Sequence, residues 1–275
     1  SASKTSLPRP FQHAPTNEYM SERRRHGFDI MSDRWVQDHQ RDPWRRKAVA
    51  EGYRARSAFK LKEIQTRFEV MDEGDVVLDV GAHPGGWTQV AVEEVGGQGV
   101  VIGVDLESSK PVDGAQLLVG DITHSQTQDR ILDLLDGKAI NVVISDISPD
   151  ITGRWEMDQA IAIDLVAKVF DFALPLLCAG GKFVTKLFQG VGVDDLIKSV
   201  KPYFTKVKRF SPEASRNSSS EVYLICLNHK PWLAEKGGPD ITGKMEIAFN
   251  DSEEEEEIQT VATGFRVVRR NTESE

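Results

Sequence analysis

The string Val77-Leu78-Asp79-Val80-Gly81-Ala82-His83-Pro84-Gly85-Gly86-Trp87 sets three glycines, Gly81, Gly85 and Gly86, between a β-rich run and a helical one. Glycine lets a backbone approach a ligand with no Cβ in the way, and such a turn is where a parallel sheet binds nucleotide-like ligands. The spacing, G-x-x-x-G-G, departs from the dinucleotide fingerprint G-x-G-x-x-G and from the phosphate loop G-x-x-x-x-G-K-[ST]. No Lys-Ser or Lys-Thr follows, which argues against a nucleoside triphosphatase. Asp105, 24 residues past Gly81, closes the next apolar run, where a carboxylate accepts hydrogen bonds from both ribose hydroxyls of a nucleoside. Asp121 closes the run after that. Acids at successive strand ends suit a ligand rich in donors, cationic at one end and without phosphates. S-adenosylmethionine fits that description better than NAD, whose pyrophosphate would be repelled. The competing reading of Asp105 and Asp121 is helix capping.

Four further polar residues have the types to do proton chemistry. Asp146 closes the run Val142–Ser145, and Lys186 lies inside the apolar run Phe183-Val184-Thr185-Lys186-Leu187-Phe188. A lysine in a buried strand is costly unless it has a partner or a task. Glu221 opens the last strand-like run, and Lys60 lies on a basic amphipathic segment. Each taken alone reads equally as a surface or salt-bridge residue; together they can converge on the carboxyl edge of a sheet.

The elements that must hold them alternate. Apolar runs at Val76–Val80, Val100–Val104, Gln116–Val119, Asn141–Ser145, Lys182–Leu187 and Glu221–Leu227 are short and rich in Val, Ile and Leu, as strands buried on both faces are. Helical periodicity separates them at Trp87–Glu94, Ser125–Leu135 and Met157–Leu177, the last with Ile161, Leu165, Val169, Phe172 and Leu176 as its apolar stripe. Strand–helix alternation predicts an α/β fold, a mostly parallel sheet with helices on both faces. Tyr203–Phe210 and Glu221–Leu227 are joined by a short polar loop, so the final strand is expected to run antiparallel. Residues 30–70 read as helices, with Arg56–Phe68 the most regular and presenting a basic stripe. A flexible segment is expected over 1–29, the catalytic domain over 30–232, and an acidic, flexible tail over 233–275, with a short strand at Thr263–Val268.

The chain has 275 residues and a formal net charge of −9, unevenly spread. Residues 1–62 carry 14 Lys+Arg against 7 Asp+Glu, residues 63–232 carry 15 against 25, and 233–275 carry 5 against 11. A basic front on an acidic protein points to a polyanion partner. No apolar stretch approaches the roughly 18–20 residues of a bilayer span, and no membrane partner is expected. The beginning of the chain has no apolar signal region. Two cysteines, Cys178 and Cys226, cannot build a disulfide framework or a four-ligand zinc site; buried thiols in the reducing cytoplasm are expected, and no metal.

The segments Arg54-Ala55-Arg56-Ser57-Ala58-Phe59-Lys60-Leu61, the glycine turn, the Asp146 string, Phe183–Gly190 and Ser215–Tyr223 together resemble the RrmJ/FtsJ-type RNA ribose 2′-O-methyltransferases, in order and in spacing, from about Trp35 to Pro231. The resemblance implies a Rossmann-like, seven-stranded S-adenosylmethionine-dependent methyltransferase with a Lys-Asp-Lys-Glu tetrad that maps onto Lys60, Asp146, Lys186 and Glu221. It also implies cofactor contacts from Gly85, Trp87, Asp105, Asp121 and Asp146, beside the Gly81 and Gly86 of the turn. His83 stands where the family usually has Ala, and Asp150 where ribosomal-RNA members usually have Asn.

A ribose 2′-OH is a weak acid and needs a base aligned behind the methyl carbon. Lys186 is the expected proton acceptor, with Lys60 stabilising the developing alkoxide. Arg45, Arg46, Lys47, Arg54, Arg56, Lys62 and Arg216 are the expected RNA contacts, with Lys206, Lys208 and Arg209 a second basic patch. The favoured substrate is a uridine of large-subunit ribosomal RNA. A tRNA anticodon loop is the alternative, ahead of an NAD-dependent oxidoreductase or an inactive RNA-binding relative.

Overall fold

In the computed structural model, residues 42–149, 153–215, 220–231 and 239–245 are described. The chain divides into two compact units, Ser1–Arg46 and Lys47–Glu275. Of the first, residues 42–46 are described: Asp42 accepts the N–H groups of Trp44 and Arg45 where helix α1 (Pro43–Ala50) begins. The expected helices over 30–41, the strand at Thr263–Val268 and Arg216 lie outside the described residues.

The second unit alternates strand and helix as its apolar pattern requires. After α2 (Ala58–Phe68) come β1 (Val76–Val80), α3 (Gly86–Val95), β2 (Val100–Asp105), β3 (Ala115–Val119), α4 (Ser125–Leu135), β4 (Ile140–Ser145), α5 (Trp155–Ala173), β5 (Leu177–Phe188), α6 (Val193–Val200), β6 (Phe204–Phe210) and β7 (Glu221–His229). The seven strands order as β3-β2-β1-β4-β5-β7-β6. All neighbouring pairs are parallel except the two that β7 makes, with β5 and with β6. The antiparallel last strand therefore inserts between the two strands that precede it.

The order reverses at β1 and β4, whose carboxyl ends open the crevice in which such sheets bind ligands. β1 is buried along its whole length, as a strand covered on both faces must be. β3, at the sheet edge, is only partly buried, a departure from the expectation of two-sided burial: it has a single neighbour. The core joins β1, β2, β4, β5 and β7 to the inner faces of α4, α5 and α6.

The joint between α5 and β5 and the buried face of α5 differ most from the sequence reading; other element ends shift by one or two residues. The helix expected to reach Leu177 stops at Ala173, because Pro175 has no N–H to continue the ladder, and a single turn over Leu174–Leu176 leads directly into β5. The strand thus starts at Leu177 instead of Lys182, pairing Leu177 with Ile140 across an irregularity before the regular register resumes at Val142↔Lys182. On α5 the buried apolar residues are Ala162, Ile163, Val166, Ala167, Val169, Phe170 and Ala173. Of the expected stripe Val169 is buried, Leu165 and Phe172 are partly buried against the core, and Ile161 is exposed. A helix apolar on most sides has two candidate stripes, and Phe170 wins by stacking on Phe183 of β5 at 3.9 Å between ring centroids.

Residues 239–245, assigned from the sequence to a flexible tail, instead pack. A short helix over 241–245 buries Ile241 and Met245 against the core. Asp171 of α5 accepts the N–H groups of Ile241 and Thr242 and the Thr242 hydroxyl, at 2.6, 3.0 and 2.6 Å.

Candidate active site

Register brings the tetrad together. In β5 and β7, Lys186 stands opposite Tyr223 and Phe188 opposite Glu221. Side chains two residues apart share a face, so Lys186, Phe188, Glu221 and Tyr223 crowd one face at the carboxyl end of β5. Asp146 arrives from the end of β4, the neighbour on the other side. Lys60 arrives from the first turn of α2, which lies over this face.

The result is a buried network with a tyrosine at its hub. The Lys186 amine donates to the Asp146 carbonyl at 2.7 Å and lies 3.2 Å from the Asp146 Oδ1. Lys60 Nζ donates to Glu221 Oε1 at 2.5 Å. The Tyr223 hydroxyl lies 2.9 Å from Asp146 Oδ1 and 3.1 Å from Glu221 Oε1, linking the two ion pairs. Ser215 Oγ adds a third donor to Glu221 at 3.1 Å. Burial opposes ionisation of Glu221, yet the Lys60 charge and hydrogen bond, with Lys186 behind, hold its carboxyl below the usual range. Burial, reinforced by Asp146 and Glu221, pushes the Tyr223 hydroxyl well above its usual value. Tyr223 therefore remains a neutral donor.

A cavity of about 470 Å³ opens against Asp146, lined by Gly81, His83, Asp105, Asp121, Ile147 and Pro149 among others. Gly81 is required here: at φ +84° a Cβ would fall 2.7 Å from Ile147 Cα. Asp105 accepts the N–H groups of His83 and Glu107, one on each oxygen. Asp121 accepts the N–H and hydroxyl of Thr123, a local Asx turn; the N-cap of α4 is His124, with no side-chain capping bond, so Asp121 does not cap that helix. Burial resists its ionisation, but the Thr123 bonds and His124 pull its carboxyl below the usual range. His83 is held on the cavity wall by Ser109 at 3.2 Å and Glu107 at 3.7 Å.

Four acidic residues in the lining, Asp105, Glu107, Asp121 and Asp146, fit a ligand with a ribose, an amine and a sulfonium, and no phosphate. By its donor set and its cradle at Gly81 the cavity fits S-adenosylmethionine. Gly85 and Gly86 serve a different neighbour: their missing Cβ atoms make room for Arg54 and Ala55. Trp87 is buried, its indole N–H donating to Ser57 O at 2.8 Å and its ring against Tyr223. Neither these glycines nor the indole ring lines the cavity.

The expected RNA contacts separate into two groups. Arg45, Arg46 and Lys47 are exposed on α1, with Lys47 also 3.9 Å from Glu51. Arg54 and Arg56, expected to grip phosphates, turn their guanidinium groups onto the protein's own carbonyls: Arg54 onto Pro84, Lys110 and Pro111, and Arg56 onto Ala214. Lys62 pairs with Glu93 at 3.3 Å and sits over the Tyr53 ring. Lys60 is buried, so it leaves the basic stripe altogether.

Two residues were missed. Tyr223 was findable from strand alternation, two residues past Glu221. Asp79, an acid inside the apolar strand Val76–Val80, carries the same signal as Lys186. It is fully buried, with one oxygen on the Thr88 hydroxyl at 2.6 Å and the other without a partner among the described residues. Among the described residues no group of side chains is arranged to hold a metal ion, and no helix is long and apolar enough to cross a membrane.

The sequence model described as FtsJ-like methyltransferase matches residues 53–229. The chain is 41% identical over 203 residues to a protein of Methanobrevibacter smithii named ribosomal RNA large subunit methyltransferase E, covering 73% of this chain and 96% of that one. Proteins of the same name from Methanothrix thermoacetophila and Marinobacter nauticus are 46% and 40% identical, covering 68% and 70% of this chain and 72% and 94% of theirs. A crystal structure of a ribosomal RNA methyltransferase of Plasmodium falciparum superposes with a TM-score of 0.58 at 24% identity, over 64% of this chain and 98% of that one. That likeness concerns the fold.

Proposed function

Because the chain belongs to the FtsJ-like methyltransferase family, and with it is an S-adenosylmethionine-dependent methyltransferase, we propose that it methylates a ribose 2′-OH of large-subunit ribosomal RNA, at a uridine, with Lys186 accepting the hydroxyl proton. The names of the relatives support the substrate. The observation that carries the chemistry is a buried amine 3.2 Å from a carboxylate that itself lines the ligand cavity.

Gly81, Asp105, Asp121 and Asp146 would hold the cofactor, which supplies when bound a methyl group already activated on a sulfonium. What this chain must do is prepare the oxygen. Once its ammonium has given up a proton to solvent, the Lys186 amine takes the 2′-OH proton, and the ammonium re-formed is met at once by the carboxylate and carbonyl oxygens of Asp146. Lys60, fixed by Glu221, places a second positive charge where the alkoxide develops. Tyr223 keeps the two carboxylates at a fixed separation, so neither lysine is free to swing away. The exposed Arg45, Arg46 and Lys47 are proposed phosphate contacts, and the cytoplasm is the proposed compartment, where that substrate is found.

The test is Lys186→Met, which fills the strand position without an amine. Methyl transfer to ribosomal RNA is expected to fall by at least ~10²-fold, with the cofactor Kd within a few-fold of wild type by calorimetry. Transfer within tenfold of wild type would overturn the assignment of Lys186, and methyl placed on a base would overturn the 2′-OH.

A further inference from the structure

The register row that holds Lys186 continues past the site. Tyr223 pairs with Lys186 on one side and with Phe210 of β6 on the other. Directly opposed residues share a face, so Phe210 stands on the same side of the sheet as Lys186, two strands away, or about 10 Å. Two and four residues back along β6, on that same face, lie Lys208 and Lys206, roughly 3.4 Å of strand per residue apart. Phe68, at the end of α2, meets Phe210 edge-to-face with centroids at 5.2 Å. Arg67 lies over both rings, at 5.9 and 5.1 Å, and Lys208 is 5.9 Å from the Phe68 centroid. Arg67, Lys206 and Lys208 are exposed and have no ion pair among the described residues. Arg209, grouped with the two lysines in the sequence, points to the opposite face and pairs with Asp194 of α6.

A strip on a protein of net charge −9 that keeps three cations unneutralised beside two half-buried rings has the chemistry of a single-strand nucleic-acid track: cations for phosphates, rings and a guanidinium plane for bases. We propose that Arg67, Phe68, Lys206, Lys208 and Phe210 form a second RNA-contact surface that grips the single-stranded flank of the substrate as it leaves the site along the edge strand β6. This rests on the reading of RNA as substrate and adds to it where the strand runs. The competing explanation is that lysines on an edge strand only prevent strand-to-strand aggregation; that role asks nothing of Arg67, Phe68 and Phe210, which share the strip.

The experiment compares wild type, the double variant K206E/K208E and R67Q, using a single-stranded RNA oligonucleotide for anisotropy and ribosomal RNA for turnover. Each phosphate contact on a single strand contributes ~0.7 to the slope of log affinity against log salt. The double variant is expected to lower that slope by about 1.4 and R67Q by about 0.7. In turnover, KM for RNA should rise at least tenfold in the double variant, with kcat, cofactor Kd and monodispersity unchanged. Unaltered slope and KM in a wild type that does methylate RNA would overturn the track and leave the substrate reading intact. A wild type that neither binds nor methylates RNA would overturn both. Aggregation of K206E/K208E with normal RNA affinity would assign the lysines to edge protection and overturn the track.

Discussion

Asp79 should make the folded protein less stable as the pH rises, and Asp79→Asn should remove that dependence. The side chain is fully buried in β1. Burial first, then the nearby Asp146 and Asp105 charges, push its pKa from an ordinary 3.8 to about 7, against the pull of the Thr88 hydrogen bond. The folded state therefore holds this proton more tightly than the unfolded chain does. Its contribution to stability is intact below about pH 4, drains away between pH 4 and 7, and is gone above 7. A difference of about 3 pH units corresponds to about 4 kcal/mol at 1.36 kcal/mol per unit. Asparagine keeps the shape and has no charge to lose, and the Thr88 bond to the carboxylate is already contained in the value of about 7. At pH 8 the variant is thus expected to be more stable by about 4 kcal/mol, or roughly 8–16 °C in Tm for a domain of this size. Near pH 4 the two proteins should nearly coincide. Thermal unfolding followed by circular dichroism from pH 4 to pH 8 measures the difference directly, because every other titrating group is common to both proteins. Parallel curves, or a variant that melts lower at pH 8, would refute the reasoning.

Tyr223→Phe leaves the ring in place but removes the hydroxyl between Asp146 and Glu221. A fall of about tenfold in kcat is expected, equivalent to roughly 1.4 kcal/mol from a weakened charge-assisted network, and an unchanged kcat would take Tyr223 out of the proton path. Gly81→Ala drives a Cβ against the Ile147 backbone at a φ that alanine resists. The cofactor Kd should rise at least tenfold by calorimetry, and a normal Kd would mean that the cradle at Gly81 does not bound the ligand.

The alternation of runs and periods was enough to mark the strands and the turn at the crevice, because strands covered on both faces leave uninterrupted apolar runs between helical segments; the order of the strands in the sheet was not legible in it. What misled was chemistry within one element. α5 is apolar around most of its circumference, so spacing alone offered Ile161 and Leu165 as readily as Ile163 and Val166; the choice was made by Phe183, a partner distant in sequence. Composition marked 233–275 as tail, and it did so correctly for charge. It had no means to weigh Ile241 and Met245, whose burial depends on Asp171 accepting the first N–H groups of a short helix. Likewise Arg54 and Arg56 are cations by type, and only the fold brings the carbonyls of Pro84, Pro111 and Ala214 within their reach.

The residue whose position was most exposed to error is Lys186 itself. β5 is buried on both faces from Phe183 to Leu187, so hydrophobicity does not decide which face the amine takes. A slip of one residue would put Thr185 or Leu187 over Asp146 and turn the amine into the opposite layer. The register is instead pinned just beyond the strand. Gln189 donates its N–H to Ser220 O at 2.8 Å, clipping the end of β5 to the start of β7. Gln159, buried in the second turn of α5, donates to Gln189 O at 2.5 Å and accepts the Val191 N–H at 3.2 Å. The same clasp explains Gly190, since a Cβ there would collide with the Gln159 amide. A sequence reader sees in Phe188-Gln189-Gly190 a motif next to a lysine. The physical content of that motif is a lock on strand register, and the site's chemistry depends on it as much as on the amine.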